Sequence, residues 1–445
     1  VIVFKGNLGA KTLCLPPCFL TNKLWISEST STGPIFIHML SPACPVIPGG
    51  HVCTVSCRSR ILRTDRHAGL QPRAHRSMHV VRLSIHRLRR FQTVELHPSS
   101  ALNLLTGDNG AGKTSVLEAL HLMAYGRSFR GRVRDGLIQQ GANDLEVFVE
   151  WKEGGGAAVE RTRRAGLRHS GQEWTGRLDG EDVAQLGSLC AALAVVTFEP
   201  GSHVLISGGG EPRRRFLDWG LFHVEPDFLT LWRRYARALK QRNALLKQGA
   251  QPRMLDAWDN ELAESGETLT SRRMRYLERL QDRLVPVADA IAPALGLSAL
   301  TFAPGWKRHE VSLADALLLA RERDRQNGYT SQGPHRADWM PSFHALPGKD
   351  ALSRGQAKLT ALACLLAQAE DFAFERGEWP VIALDDLGSE LDRHHQGRVL
   401  QRLASAPAQV LITATETPPG LADAAALLQQ FHVEHGQIAR QATVN

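Results

Sequence analysis

Two kinds of periodicity alternate along this chain. From Val80 to Ile85 apolar and polar positions alternate, as in a half-buried strand, and Thr93 to Leu96 fits as its hairpin partner. Leu102 to Thr106 is a short, mostly apolar run, which predicts a buried strand. Apolar residues then recur at Val116, Leu117, Leu120, Met123 and Ala124, a helical spacing over Lys113 to Tyr125. Alternation returns from Leu145 to Trp151 and, across a turn at Gly154, Gly155 and Gly156, from Ala158 to Arg163, predicting an antiparallel pair. Residues 213–285 read as mostly helical. Leu217, Leu221, Leu229, Leu231, Leu239 and Leu245 supply one set of apolar positions, and Leu262, Leu269, Met274, Leu277, Leu280 and Leu284 a second. Toward the end come a helix over Leu359 to Ala369, an apolar strand over Trp379 to Leu384, a helix through Leu403 and a strand over Gln409 to Thr413.

The first 77 residues show neither period. They hold nine Lys and Arg against two Asp and Glu, so nearly all of the net charge of +8 sits there. Five of the seven cysteines lie there as well. Cys14 with Cys18 and Cys53 with Cys57 are spaced loosely for zinc, and no zinc-ribbon turn supports them. We read 1–77 as an upstream extension outside the fold, with Met78 as the start of the folded chain. The rest, with Cys190 and Cys364 alone, fits a reducing, cytoplasmic setting. A hydrophobic content of 43% with 22% charged residues is that of a globular protein, and 445 residues suffice for two or three domains. No apolar run reaches the ~18–20 residues of a membrane helix. Leu13 to Ile26 is broken by Pro16, Pro17 and Lys23 and no small-residue cleavage site follows, so it does not read as a signal peptide; no membrane partner is expected.

The chemistry concentrates between the third predicted strand and the first helix. Gly107, Asp108, Asn109, Gly110, Ala111, Gly112, Lys113 and Thr114 form a glycine-rich phosphate loop in the strand–loop–helix setting that such a loop needs. The glycines let backbone N–H groups face phosphate oxygens, and the helix adds the positive end of its dipole. Lys113 would bring a full charge to the β- and γ-phosphates of ATP, and Thr114 a hydroxyl to Mg²⁺. Far downstream, the strand over Trp379 to Leu384 ends in Asp385 and Asp386. Asp385 is placed to hold Mg²⁺, and Asp386 to orient or deprotonate the attacking water. Two Asp after a strand also occur as a polar strand end capping the next helix. Ser353, Gly355 and Gln356 open the helix over Leu359 to Ala369, a second N-terminus suited to an anion. A well-capped helix is the plainer reading of the same residues.

Taken in order, the phosphate loop, Leu352-Ser353-Arg354-Gly355-Gln356, the strand ending at Asp385 and the run Ser389-Glu390-Leu391-Asp392 resemble the ABC-type ATPase heads of the SMC and Rad50 class. Gly333-Pro334-His335-Arg336-Ala337-Asp338 and Ser128-Phe129-Arg130 carry the resemblance to the RecF family of that class. It covers Met78 to the C-terminus. The resemblance implies an α/β fold: a P-loop ATPase head of mixed and antiparallel sheet, with a mostly helical arm. The head would come from both chain ends, 78–210 and 326–445, and the arm from 211–325, its helices too short for an SMC coiled coil. It further implies that Ser353, Gly355 and Gln356 act in trans on ATP bound by a second protomer, in an ATP-dependent homodimer with weak, DNA-dependent hydrolysis. The implied role is DNA binding at gaps, where single- and double-stranded DNA meet, and RecA loading with RecO- and RecR-like partners in gap repair and the SOS response.

Three features depart from the pattern of such heads. Asp386 stands where many have Glu, no histidine occurs in Ala414 to Thr417, and the glutamine loop has only Gln139 and Gln140 as candidates. A transporter ATPase subunit would lack the arm and the Gly-Pro-His-Arg element; a nuclease-associated or phage-defence head remains a rival.

For DNA the candidates are basic clusters: Arg213, Arg214 and Arg215; Arg233, Arg234, Arg237, Lys240 and Arg242; Arg272, Arg273 and Arg275; and Arg161, Arg163, Arg164 and Arg168. Any of these can equally be a solvated face. Aromatics, at 6%, offer no obvious platform for stacking bases. N-terminal sequencing of the native protein should find Met78 first; a chain beginning earlier would contradict the extension reading.

Overall fold

The computed structural model describes residues 2–4, 11–13 and 76–441, apart from 134–135, 155–159, 345 and 422–426. They belong to two units, Val1–Gly69 and Leu70–Asn445. In the first, Ile2–Phe4 pairs antiparallel with Lys11–Leu13. Both cysteine pairs considered for zinc lie outside the described residues.

In the second unit, Leu102–Thr106 is buried at every position. A strand without a polar face needs cover on both sides, which a parallel sheet under helices provides. It lies between Val410–Thr413 and Leu428–Glu434, parallel to both. Val381–Leu384 and Val195–Phe198 extend the sheet in parallel, and Gln437–Arg440 closes the other edge antiparallel. One early strand is thus flanked by strands from the last quarter of the chain.

The second sheet is antiparallel, in the order Glu181–Asp182, Trp174–Leu178, Arg161–His169, Leu145–Glu153, His79–Leu88 and Phe91–Leu96. Leu145, Val147, Val149 and Trp151 are buried while the residues between them are half-exposed, as the alternation predicts. The helix Lys113–Tyr125 packs on strands of both sheets, which is why it is buried almost all round.

The apolar run over Trp379 to Leu384 is two strands rather than one. Glu378–Trp379 pairs with Arg76–Ser77, so the paired chain begins two residues before Met78, within the stretch expected to lie outside the fold, and Val381–Leu384 enters the parallel sheet. Pro380 stands at the break, where its missing N–H cannot continue a ladder.

The region expected as the arm holds the helices Gly210–Val224, Phe228–Lys247, Asp256–Ile291 and Leu313–Asn327 and the strand Leu297–Ala303, which pairs antiparallel with Asp338–Phe343 from beyond the expected boundary at 326. The second leucine set belongs to one helix of 36 residues, ~54 Å long. It packs against Phe228–Lys247 and Leu313–Asn327. Buried arginines tie these elements together. Arg242, fully buried, reaches Asp259 at 2.5 Å and Asp324 at 2.8 Å, joining three helices. Arg273 grips Asp218 through two bonds of 2.8 Å and donates to the Pro334 carbonyl at 2.7 Å. His335 accepts or donates at 2.6 Å to the Tyr235 hydroxyl, and burial pushes its imidazole down to about 4. The Gly-Pro-His-Arg element therefore seats on the arm helices.

Arg213 requires a correction. It is 1% exposed, pairs with Asp338 at 2.6 Å and donates to the carbonyls of Leu205, Ile206 and Gly208. All its donor nitrogens face inward, so it holds the fold and does not reach DNA. Removing one partner of such a buried pair leaves the other uncompensated. Arg213→Met should therefore cost ~3–5 kcal/mol in urea unfolding. Arg215→Gln, exposed and paired with Glu211 one turn away, should cost less than about 1 kcal/mol.

Candidate nucleotide site

The phosphate loop leaves Leu102–Thr106 and enters the helix at Lys113. Gly107 has φ +139°, and a Cβ there would lie 2.2 Å from the Val433 carbonyl oxygen. Gly112 has φ +122° and sits against the Phe91 ring, where a Cβ would lie 2.9 Å from it. Glycine is required at both positions, by backbone angle and by contact. No side chain caps the helix at Gly112, so its first N–H groups remain available to an anion.

Lys113 is 8% exposed, and its Nζ donates to the carbonyls of Gly107 at 2.6 Å and Asp108 at 2.9 Å. Burial holds its ammonium below the ordinary lysine range, against the opposing pull of Asp386, Asp385 and Asp108. Asp385 is 2% exposed. Its Oδ1 accepts from Thr114 Oγ1 at 2.9 Å and from Thr413 Oγ1 at 2.7 Å. Thr413 Oγ1 also accepts the Asp386 N–H at 2.8 Å. One hydrogen-bonded chain thus joins the phosphate loop, both aspartates and the adjacent strand. Asp386 takes φ +53°, and its carboxylate accepts from the Ser389 hydroxyl. The left-handed backbone, costly for most residues but tolerated by Asp, turns that side chain to the cavity edge.

The cavity beside the loop, about 280 Å³, is lined by Asn109, Gly110, Gly112, Lys113, Thr114, Ser115, Asp386 and Thr413, together with Arg89, Arg90 and Arg130. Sequence reasoning missed Arg89, Arg90 and Thr413, and met Arg130 only within a resemblance. Arg89 and Arg90 stand in the tight turn between His79–Leu88 and Phe91–Leu96, where Arg89 has φ +54°. Fully buried Glu118 orients the group: it takes two bonds from Arg89 at 2.8 and 3.0 Å, one from Ser128, and lies 3.8 Å from Arg130. A Glu within an apolar helical run was the available signal. Gln139 and Gln140 do not line this cavity; the Gln139 N–H bonds the Arg87 carbonyl at 2.8 Å.

Ser353 and Gln356 form a reciprocal capping box, with bonds of 3.2 and 2.8 Å. Ser353 and Gly355 are exposed, and neither they nor Gln356 line the cavity of their own chain. Arg214 donates to the Ala337 carbonyl at 2.8 Å, and Arg234 is held by Glu261 at 2.5 Å and Glu264 at 2.7 Å. Both are thus engaged within the same region, as Arg215 is with Glu211. Arg233 is exposed.

Gly107→Ala should abolish binding of a fluorescent ATP analogue. Asp385 gives a sharper test. Burial pushes its carboxyl above the usual range, only partly offset by bonds from Thr413 and Thr114. A carboxyl with a folded pKa above its unfolded one costs stability when ionised: not at all below the unfolded value, fully above the folded one. Asp385→Asn should therefore raise the thermal midpoint of nucleotide-free protein at pH 8. The gain should vanish below about pH 4. A lower midpoint at pH 8 would contradict this account.

The profile of the RecF/RecN/SMC N terminal domain matches residues 79–439. The DNA replication and repair protein RecF of Xanthomonas euvesicatoria pv. vesicatoria is 94% identical over 368 residues, which are 83% of this chain and 100% of the relative. The protein of the same description from Stenotrophomonas maltophilia is 73% identical over 361 residues, 81% of this chain and 99% of the relative. Among solved structures, that of the recombination mediator protein RecF-ATP in the RecFOR pathway matches with a TM-score of 0.72 at 24% identity, over 83% of this chain and 99% of that one. With the loop, the aspartates and the two-sheet head in place, the chain belongs to the RecF/RecN/SMC family, on its RecF branch.

Proposed function

We propose that this chain serves DNA replication and repair as an ATP-controlled clamp on DNA. The observation that supports this reading best is the 2.9 Å bond between Thr114 Oγ1 and Asp385 Oδ1, which joins the helix after the phosphate loop to the downstream aspartate. In this reading the loop N–H groups and the helix N-terminus take the phosphates of ATP, and Lys113 exchanges its two carbonyl partners for phosphate oxygens. Thr114 and Asp385 offer hard oxygen ligands of the kind Mg²⁺ prefers and would hold the ion there. Bound there, the ion would offset charge on the β- and γ-phosphates. Asp386, turned by its backbone and held by Ser389, orients the attacking water. Arg89, Arg90 and Arg130 add positive charge in the cavity wall.

The exposed Ser353 and Gly355, with half-buried Gln356, then close the site of a second copy, so that ATP is the clasp of a homodimer. Hydrolysis is weak and releases the clasp. An aspartate where many heads use glutamate fits slow turnover, since the shorter side chain reaches water less well. The place of action is the cytoplasm, at gaps where single- and double-stranded DNA meet, with RecO- and RecR-like partners in RecA loading.

Lys113→Ala should abolish ATP-dependent dimerisation in analytical ultracentrifugation; an unaltered dimer would sink the clasp. Mixing Lys113→Ala with Ser353→Arg should restore one composite site per heterodimer and so recover part of the hydrolysis. No recovery would argue against action in trans.

A further inference from the structure

Ion pairing sorts the basic clusters of this chain. On the antiparallel sheet, Arg161, Arg163, Arg164 and Arg168 each lie within 3.6 Å of a carboxylate, from Asp179, Glu150 or Asp144. Arg213 and Arg215 are paired, Arg214 is bound to a carbonyl, and Arg272 and Arg273 are held by Glu225 and Asp218. A cation already neutralised at close range offers little to a further anion.

The helix Phe228–Lys247 divides its charges differently. Its inner face is Tyr235, Ala238, Arg242 and Leu246, all buried, with the Arg242 charge met by Asp259 and Asp324. Arg234 at the side is met by Glu261 and Glu264. Arg233, Arg237, Lys240 and Lys247 are exposed, and among the described residues no carboxylate lies within 4 Å of their charged atoms. At about 100° per residue they fall within ~80° of arc, opposite the buried face. With ~1.5 Å rise per residue the stripe runs ~21 Å. Ala244, also exposed, sits in the same stripe and leaves its outer surface clear. The four cations thus lie along one exposed side of the helix with no carboxylate within 4 Å among the described residues; Glu261 feels the Arg237 charge only at longer range.

We propose that this row holds the phosphate backbone of duplex DNA, an inference that rests on the DNA-binding reading above. A run of ~21 Å is about six steps of ~3.4 Å along one strand of a duplex, enough for four side chains to reach separate phosphates. The stripe contains no aromatic residue on which unpaired bases could stack, which favours duplex over single strands. It also lacks the apolar face by which a cationic helix enters a membrane surface.

The test is the salt dependence of binding to a gapped duplex with ATP. The variant carries Arg233→Gln, Arg237→Gln, Lys240→Gln and Lys247→Gln, all exposed positions. Each phosphate neutralised contributes a slope of ~0.9 in log K against log salt, so the variant should lose about 3 to 4 from its slope. A companion with Arg233→Lys and Arg237→Lys keeps the charges and should keep the slope; circular dichroism should find both folded. Binding by the unaltered chain with the same slope in the four-fold variant overturns the inference alone. Absence of ATP-dependent DNA binding by the unaltered chain overturns the functional reading, and the inference with it.

Discussion

Asp385 is a carboxylate drawn almost wholly out of water, and it persists because two threonines donate to the same oxygen. Thr114 opens the helix after the phosphate loop, and Thr413 ends a strand near the C-terminus. Neither could reach Asp385 unless Leu102–Thr106, Val381–Leu384 and Val410–Thr413 lay in one parallel sheet with their ends in register. Leu384 is paired with Ile412, and Ile412 with Leu104, so the three chain exits emerge at one edge. In open parallel sheets that edge, beyond the carboxyl ends of the strands, is where ligands bind. Packing thus creates the site, and the site's buried charge strains the packing in return. The raised carboxyl of Asp385 and the lowered ammonium of Lys113 both express that tension. A bound cation and phosphates would relieve it, which couples ligand to stability.

The arginines show the same economy elsewhere. Arg213, Arg242 and Arg273 are buried among carboxylates and carbonyls and act as struts of the arm. Their value is in specifying one arrangement of helices, since a misplaced helix would strand a charge. Glu118 does the equivalent in the head, using buried negative charge to aim Arg89 and Ser128 near the nucleotide cavity. In each case local sequence displays only a charged residue among apolar ones. The partner, often far away in the chain, decides whether it is structural or functional.

By itself the sequence determined the local elements and the chemistry tied to them. The helix Lys113–Tyr125, the strand Leu102–Thr106 and the capping box at Ser353 follow from periodicity, burial pattern and cap residues within a few positions of each other. The phosphate loop was legible for the same reason: its glycines, lysine and threonine act through adjacent backbone. The break at Pro380 shows the limit of this reading, because strand ends depend on which neighbour is available for pairing. Only the tertiary structure decided what depends on distant partners. It brought Thr413 to Asp385, set Arg89 and Arg90 in the cavity wall, took Arg213 from the surface into the fold, and left Arg233, Arg237, Lys240 and Lys247 without a carboxylate within 4 Å among the described residues. A charge's role is set by the dielectric around it and the opposite charge beside it, and neither is written in the residues next to it along the chain.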